Sequence, residues 1–137
     1  MHEGLFAEID RDDCHQLLLS HEVGRVAWAS PTRGPVVLPV NYVLRGDTVI
    51  FRISPDSLLQ ELSQGLPVAF EIDDIDVTTR TGWSVLVSGR TRTPTSAELD
   101  ALQASGLPAP WAGGTRTVVI ALDIVDLTGR IVERSEP

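Results

Sequence analysis

Gly24-Arg25-Val26-Ala27-Trp28, Leu38-Pro39-Val40-Asn41-Tyr42 and Val49-Ile50-Phe51-Arg52 follow one another in the first half of the chain. They are echoed by Ala69-Phe70-Glu71-Ile72-Asp73 and Gly82-Trp83-Ser84-Val85. Each block is a strand-length apolar run, rich in Val and Ile and bounded by Gly, Pro, Asp or Arg. Working outward, the spacing predicts strands over Arg25 to Ser30, Val36 to Leu44, Thr48 to Ile53, Val68 to Asp73, Trp83 to Arg92 and Thr115 to Leu127. The second of these is apolar on both faces, as a barrel strand covered on both sides would be. Pro39 lacks a ladder donor and so predicts a bulge or an edge. Gly46-Asp47 supplies a hairpin turn.

Three short helices are expected between these runs. Asp10, Asp12 and Asp13 suit the first turn of a helix over Asp12 to His21, because negative charge meets the positive end of the helix dipole. Ser57 with Gln60 and Thr95 with Glu98 both have capping-box spacing. Leu58, Leu59 and Leu62 would face inward from the second helix, which Gly65 and Pro67 end. Six strands with three short helices predict a β-barrel-dominated domain. At 137 residues the expectation is one domain, 1–137, with residues 1–8 and 133–137 as tails.

Composition narrows the function. The net charge of -8 leaves no basic surface for nucleic acid, and it disfavours anionic membranes. All the basic residues other than histidine are Arg, so no lysine is available to form a Schiff base or hold a phosphate. The lone Cys14 excludes an internal disulfide and a Cys-based metal cluster. Without a basic-then-apolar leader or a membrane-length apolar run, a cytoplasmic protein is expected. Walker-type, dinucleotide Gly-rich and Ser-His-Asp patterns are lacking. Asp73, Asp74 and Asp76 form the densest acidic cluster, but strand alternation sends neighbours to opposite faces, so a solvated turn is expected and no metal.

Arg52 stands out because Val49, Ile50, Phe51 and Ile53 around it are apolar and a charge there needs a partner. Either a carboxylate such as Glu71 or Asp73 or a phosphate would serve, the guanidinium binding the latter in bidentate fashion. Ser54 and Ser57 either add donors at the start of the next helix or simply cap it. Asn41 either meets the polar edge of a ligand or bonds backbone at the Pro39 irregularity. Trp83 shares a strand face with Val85 and Val87, a pattern more often found in interface core than against a cofactor. Trp111 lies in a loop rich in Pro and Gly.

In their order, these blocks resemble the pyridoxamine 5'-phosphate oxidase-like family, over roughly residues 9 to 132. The resemblance implies a six-stranded antiparallel split β-barrel, Greek-key-like, of the flavin reductase and pyridoxamine phosphate oxidase type. It further implies a homodimer with a small planar ligand, FMN or alternatively a deazaflavin coenzyme, bound between the subunits. Pro39, Val40 and Asn41 would lie along the ring, with Trp83, Ser84 and Val85 as the second ring-contacting strand. Arg52, Ser54 and Ser57 would hold the phosphate, and Trp111 would cover the site from the partner subunit. An oxidoreductase is then expected, the cofactor doing the electron chemistry and the protein binding and tuning it.

The phosphate-binding turn departs from the family pattern. Ile53 stands at its Thr place, Asp56 at its Gly place and Leu58 at its Lys place, so only Arg52 and Ser57 match. The alternative expectation is therefore a barrel that has lost the flavin site and has no cofactor, serving as a non-catalytic binding or structural dimer. A barrel holding haem would need His15 or His21 as axial ligand, and neither is expected in the cleft.

Overall fold

A computed structural model describes residues 5–53, 57–105 and 118–133. Its strands are β1 (Leu5–Ile9), β2 (Val23–Ser30), β3 (Gly34–Arg45), β4 (Thr48–Ile53), β5 (Pro67–Asp76), β6 (Thr81–Arg92) and β7 (Val118–Glu133). Helix α1 covers Arg11–Leu19, α2 covers Ser57–Gln60 and runs on as a 3-10 turn over Glu61–Gln64, and α3 covers Ser96–Ser105.

The strands form one antiparallel sheet in the order β1-β7-β4-β3-β2-β5-β6, and β6 returns to pair with β7. That last pairing closes a ring of six strands, the expected barrel. β1 is a seventh strand added beside β4 on the same edge of β7. Period-two alternation sends Val26 and Trp28, Val40 and Tyr42, Phe51 and Ile53, and Phe70 and Ile72 into one core. Gly24 belongs to the same inward row, because a Cβ there would lie 2.2 Å from the ring of Phe70.

The helices close the barrel and are tied to it by side chains. Asp10 caps α1 by accepting from the Asp13 N–H at 2.8 Å, and Cys14 and Leu18 of that helix are buried. The Tyr42 hydroxyl reaches out of the core to donate to the Leu18 carbonyl at 2.7 Å. Glu61 anchors the 3-10 turn, accepting from Trp28 Nε1, Ser30 and Thr32 of the β2 hairpin. Gly65, at φ +82°, ends the turn in the left-handed conformation that glycine adopts without steric cost. The capping box of α3 forms as expected, with Thr95 N–H to Glu98 at 3.0 Å and Glu98 N–H to Thr95 Oγ1 at 3.2 Å. Arg92 then clamps Glu98 and Asp123 at 2.6–3.0 Å, and its hydrogen bonds hold the Glu98 carboxyl down at about 2.

Several boundaries differ from the sequence reading. Residues 5–8, expected as tail, form β1 because the far half of β7 offers them a ladder from Gly129 to Glu133. The same ladder carries β7 past Leu127 to Glu133, a residue expected in the other tail. β5 continues through Asp74 to Asp76, pairing with Thr81 to Trp83, so the loop shrinks to a turn over 77–80. Asp76 shapes that turn by accepting from the Thr78 and Thr79 N–H groups, and Arg80 takes φ +57°.

Pro39 behaves as an edge residue inside a central strand. β3 pairs with β4 only over Tyr42–Arg45, while it pairs with β2 over Gly34–Asn41. Tyr42 N–H donates to the Glu22 carbonyl, so by alternation the nitrogen of Pro39 points away from β2 toward the unpaired side. The expected capping box between Ser57 and Gln60 involves the Ser57 side chain, which like that of Leu59 lies outside the described residues. Leu62 is fully buried, and Leu58 packs against the core.

The β6–β7 ladder carries an irregularity between Ser88 and Gly89, where the backbones approach closely. A Cβ on Gly89 would lie 2.1 Å from the Asp123 carbonyl oxygen, which has no room to move within the ladder. Gly89→Ala is expected to lower stability by about 1–3 kcal/mol, the range of an overpacked site. Urea unfolding checks this, and an unchanged midpoint would mean the ladder opens there freely.

Candidate functional site

The register places the candidate polar residues in one row around the outside of the barrel. Tyr42 pairs with Phe51, so the next residues outward, Asn41 and Arg52, are neighbours at the end of the β3–β4 ladder. Asn41 pairs with Val23. Arg25 pairs with Glu71, which brings Val23 beside Asp73, and Asp73 pairs with Ser84. From Arg52 to Ser84 the row crosses four strand spacings, about 19 Å at roughly 4.8 Å each. Ser84 pairs in turn with Arg130 of β7.

Two clefts open along this row and share Asp73. The first, of about 500 Å³, is lined by Ser20 to Arg25, Pro39 and Asp73. The second, of about 670 Å³, is lined by Glu71, Asp73, Trp83, Ser84 and Arg130 together with the β5–β6 turn. Between them stands an ion cluster. Arg25 Nη1 donates to Asp73 Oδ2 at 2.8 Å and reaches Glu71 Oε1 at 3.4 Å. One guanidinium thus serves two carboxylates on adjacent outward positions of β5.

Arg52 differs from Arg25 in having no such partner. Its Nε atom is buried without a hydrogen bond, and among the described residues no carboxylate pairs with it. Glu71 and Asp73, the carboxylates that the sequence offered as its partners, belong to Arg25. A buried guanidinium nitrogen left unsatisfied fits a site for an external anion, because leaving it bare costs free energy.

The other sequence candidates divide. Pro39 is exposed on the wall of the first cleft, and Asn41 is half-buried in the row. Ser84 and Trp83 line the second cleft. Val40 and Val85 point inward and belong to the core, leaving only their backbone to face outward. Ser57 begins α2, and its side chain lies outside the described residues, as do Ser54 and Trp111 entirely. Of the positions that depart from the family turn, Ile53 is buried in the core and Leu58 packs against it. Neither replaces the missing hydroxyl or ammonium.

Sequence reasoning missed the part played by α1. His21, expected outside the cleft, lines the first one. Its Nδ1, protonated in this arrangement, donates to the Leu17 carbonyl at 2.7 Å, and its ring meets Trp83 edge-on at 5.0 Å. The signal was position: His21 falls where α1 gives way to β2, at the barrel end that Trp83 also reaches. No group of His, Cys, Asp and Glu among the described residues has the arrangement of a metal site.

A family model described as pyridoxamine 5'-phosphate oxidase matches residues 10–131, the span that carries the barrel and both clefts. The chain belongs to the pyridoxamine 5'-phosphate oxidase family. It is 34% identical over 134 residues to an uncharacterised protein of Mycobacterium tuberculosis, a match covering 93% of this chain and 87% of its relative. Among solved structures it is similar to an FAD-binding protein of Mycobacterium smegmatis. That match has 29% identity and TM-score 0.74 over 92% of this chain and 97% of the other. An FAD-binding protein of Mesorhizobium loti, 20% identical, shares the fold with TM-score 0.76 over 98% of this chain and all of the other. For this member of the family, no helix among the described residues is long and apolar enough to cross a membrane.

The bare Nε of Arg52 yields a stability test. Arg52→Met keeps the aliphatic stem and removes the unsatisfied donor, so the ligand-free protein is expected to gain about 1–2 kcal/mol. Urea unfolding measures it, and a loss of stability would mean that the guanidinium is satisfied in solution.

Proposed function

We propose that this chain binds a flavin across the outer row, with Arg52 taking its phosphate and the ring lying toward Pro39, Asn41 and the clefts. The observation that carries the reading is the buried, unpartnered Nε of Arg52 at one end of that row. The FAD-binding relative at 29% identity supports the same ligand class. FMN is the form that the row accommodates with the fewest groups, because it asks for one phosphate site and Arg52 supplies one. FAD and the deazaflavin coenzyme are the variants to compare with it.

When bound, the flavin would supply hydride or electron transfer, which makes the protein an oxidoreductase. The chain's own residues bind, orient and exclude water. Arg52 meets the charge of the phosphate in a desolvated position, where a charge-assisted bond is strong. Pro39 offers an apolar wall, Asn41 an amide for the polar edge of the ring, and Trp83 a large apolar surface at the cleft mouth. Val40 and Val85, facing the core, hold their two strands in place and expose backbone groups to the ligand.

A homodimer belongs to the same proposal. Val37, on the outer face of β3, is 61% exposed, and Leu86, on that of β6, is 43% exposed. Both flank the row, so a second copy laid over it would bury them and cover the ligand.

The test is a fluorescence titration of the purified protein with FMN, run beside FAD and the deazaflavin coenzyme. Saturable binding is expected, and Arg52→Ala should weaken it by about 1.5–3 kcal/mol, the scale of a hydrogen bond to a charged group. An unchanged affinity would remove Arg52 from the phosphate role. Failure of all three ligands to bind would favour the barrel without a cofactor, in which Ile53 and Leu58 have closed the phosphate turn.

A further inference from the structure

His21 sits between α1 and β2, half-buried on the wall of the first cleft. Its ring is held on two sides. Nδ1 lies 2.7 Å from the Leu17 carbonyl oxygen and 3.1 Å from Ser20 Oγ. A carbonyl oxygen only accepts, so Nδ1 carries the proton. The Ser20 hydroxyl gives its own hydrogen to the same carbonyl at 3.0 Å, which leaves its oxygen facing Nδ1 as a second acceptor. Trp83 meets the ring edge-on, with centroids 5.0 Å apart and planes at 75°.

This arrangement fixes the tautomer. With Nδ1–H turned back to the helix, the other nitrogen of the neutral imidazole is a bare acceptor. Among the described residues no group bonds to Nε2. The charged groups around the cleft offer it no donor: Glu22 and Asp73 are themselves acceptors, and Arg25 turns to Asp73 and Glu71. A ligand N–H or O–H is what such a nitrogen can take.

The register says where that donor belongs in a larger ligand. Val23, two residues after His21 and on the same cleft wall, stands two strand spacings from Arg52 in the outer row, about 10 Å. A chain of several carbons bridges that span. Pro39, exposed on the wall between them, offers apolar contact to a flat ring.

Resting on the flavin reading above, we propose that His21 Nε2 accepts a hydrogen bond from the ring N–H of a planar heterocycle whose phosphate is held by Arg52. The chemical class is a cyclic imide, an N–H set between two carbonyls. In an oxidised flavin the imide N–H is the ring's one donor, and a deazaflavin carries the same imide. His21 therefore reads the edge that the two share, does not tell FMN from the deazaflavin, and selects against planar anions without a ring N–H.

Two measurements test this. The first is a long-range proton–nitrogen correlation spectrum of the ligand-free protein labelled at histidine, in mildly alkaline buffer, with His21→Phe assigning the resonances. His21 is expected as the Nδ1–H tautomer. A neutral His21 with its proton on Nε2 overturns the proposal, whatever the flavin does. The second is a fluorescence titration with FMN and with N3-methyl-FMN, which lacks the imide N–H. Wild-type protein is expected to bind the methylated ligand about tenfold or more weakly, the scale of one lost hydrogen bond. That preference should shrink severalfold in His21→Phe, which keeps a flat ring beside Trp83, and in His21→Ala, which serves equally if the first variant does not fold. A preference of the same size in wild type and variant overturns the role of His21 while FMN binding stands. If FMN does not bind to the wild type at all, both readings fall.

Discussion

The pairing of β7 with both β4 and β6 is the constraint on which the rest of the molecule depends. β7 runs for 16 residues, with β4 and then β1 along one edge and β6 along nearly the whole of the other. Closing a sheet obliges its strands to tilt and to stagger in register. The stagger is visible in the two routes from Arg52. Directly across the β4–β7 ladder it meets Val119, whereas the row around the barrel arrives at Arg130. The row of polar residues is therefore a spiral, and its two ends lie at different heights on β7. Gly89 and Gly129 make this possible, because at each of them another chain segment occupies the space that a Cβ would need.

Closure also decides which arginine is paired with carboxylates. Arg25 and Arg52 both emerge on the outer surface from strands whose inner faces are apolar. The register sets Arg25 against Glu71 and within reach of Asp73, and it sets Arg52 against Val119 and beside Asn41. One cation is neutralised and the other keeps a buried donor unused. The difference thus belongs to the topology and not to the local sequence around each arginine.

This is why the fold was more legible than the site. Period-two apolar runs announce strands by themselves, and Thr95 and Glu98 announce their helix start because both partners of the capping box lie within one turn. β1 has no comparable signal, since five residues gain strand structure only from the ladder that β7 lends them. The last strand was expected to stop at Leu127, yet the missing Cβ of Gly129 lets Cys14 Sγ and Ile9 come close and β7 continue. Asp74 and Asp76 looked like a loop, because acidic residues are rare in strands, and the pairing with β6 overrode that preference. Of the candidate site residues that the sequence offered, the structure places Arg52, Asn41 and Ser84 in the outer row and Pro39, Trp83 and Ser84 on the cleft walls. Sequence reading missed His21, and it could not divide the carboxylates between two arginines, because that division is made by residues 46 and 48 positions apart.

The altered phosphate turn takes on a different meaning once the packing is known. Ile53 and Leu58 have joined the core, so the hydroxyl and ammonium of the family pattern were exchanged for burial that stabilises the barrel. On the proposed reading, an anionic ligand would meet a protein of net charge -8 and bond to it at Arg52. Long-range attraction cannot bring it there; screening by salt weakens distant charges but acts little on a desolvated contact. On that reading, affinity for a phosphate would come from short-range bonding at one guanidinium, supported by apolar contact along the row. Short-range contacts of this kind discriminate by shape more than by long-range charge.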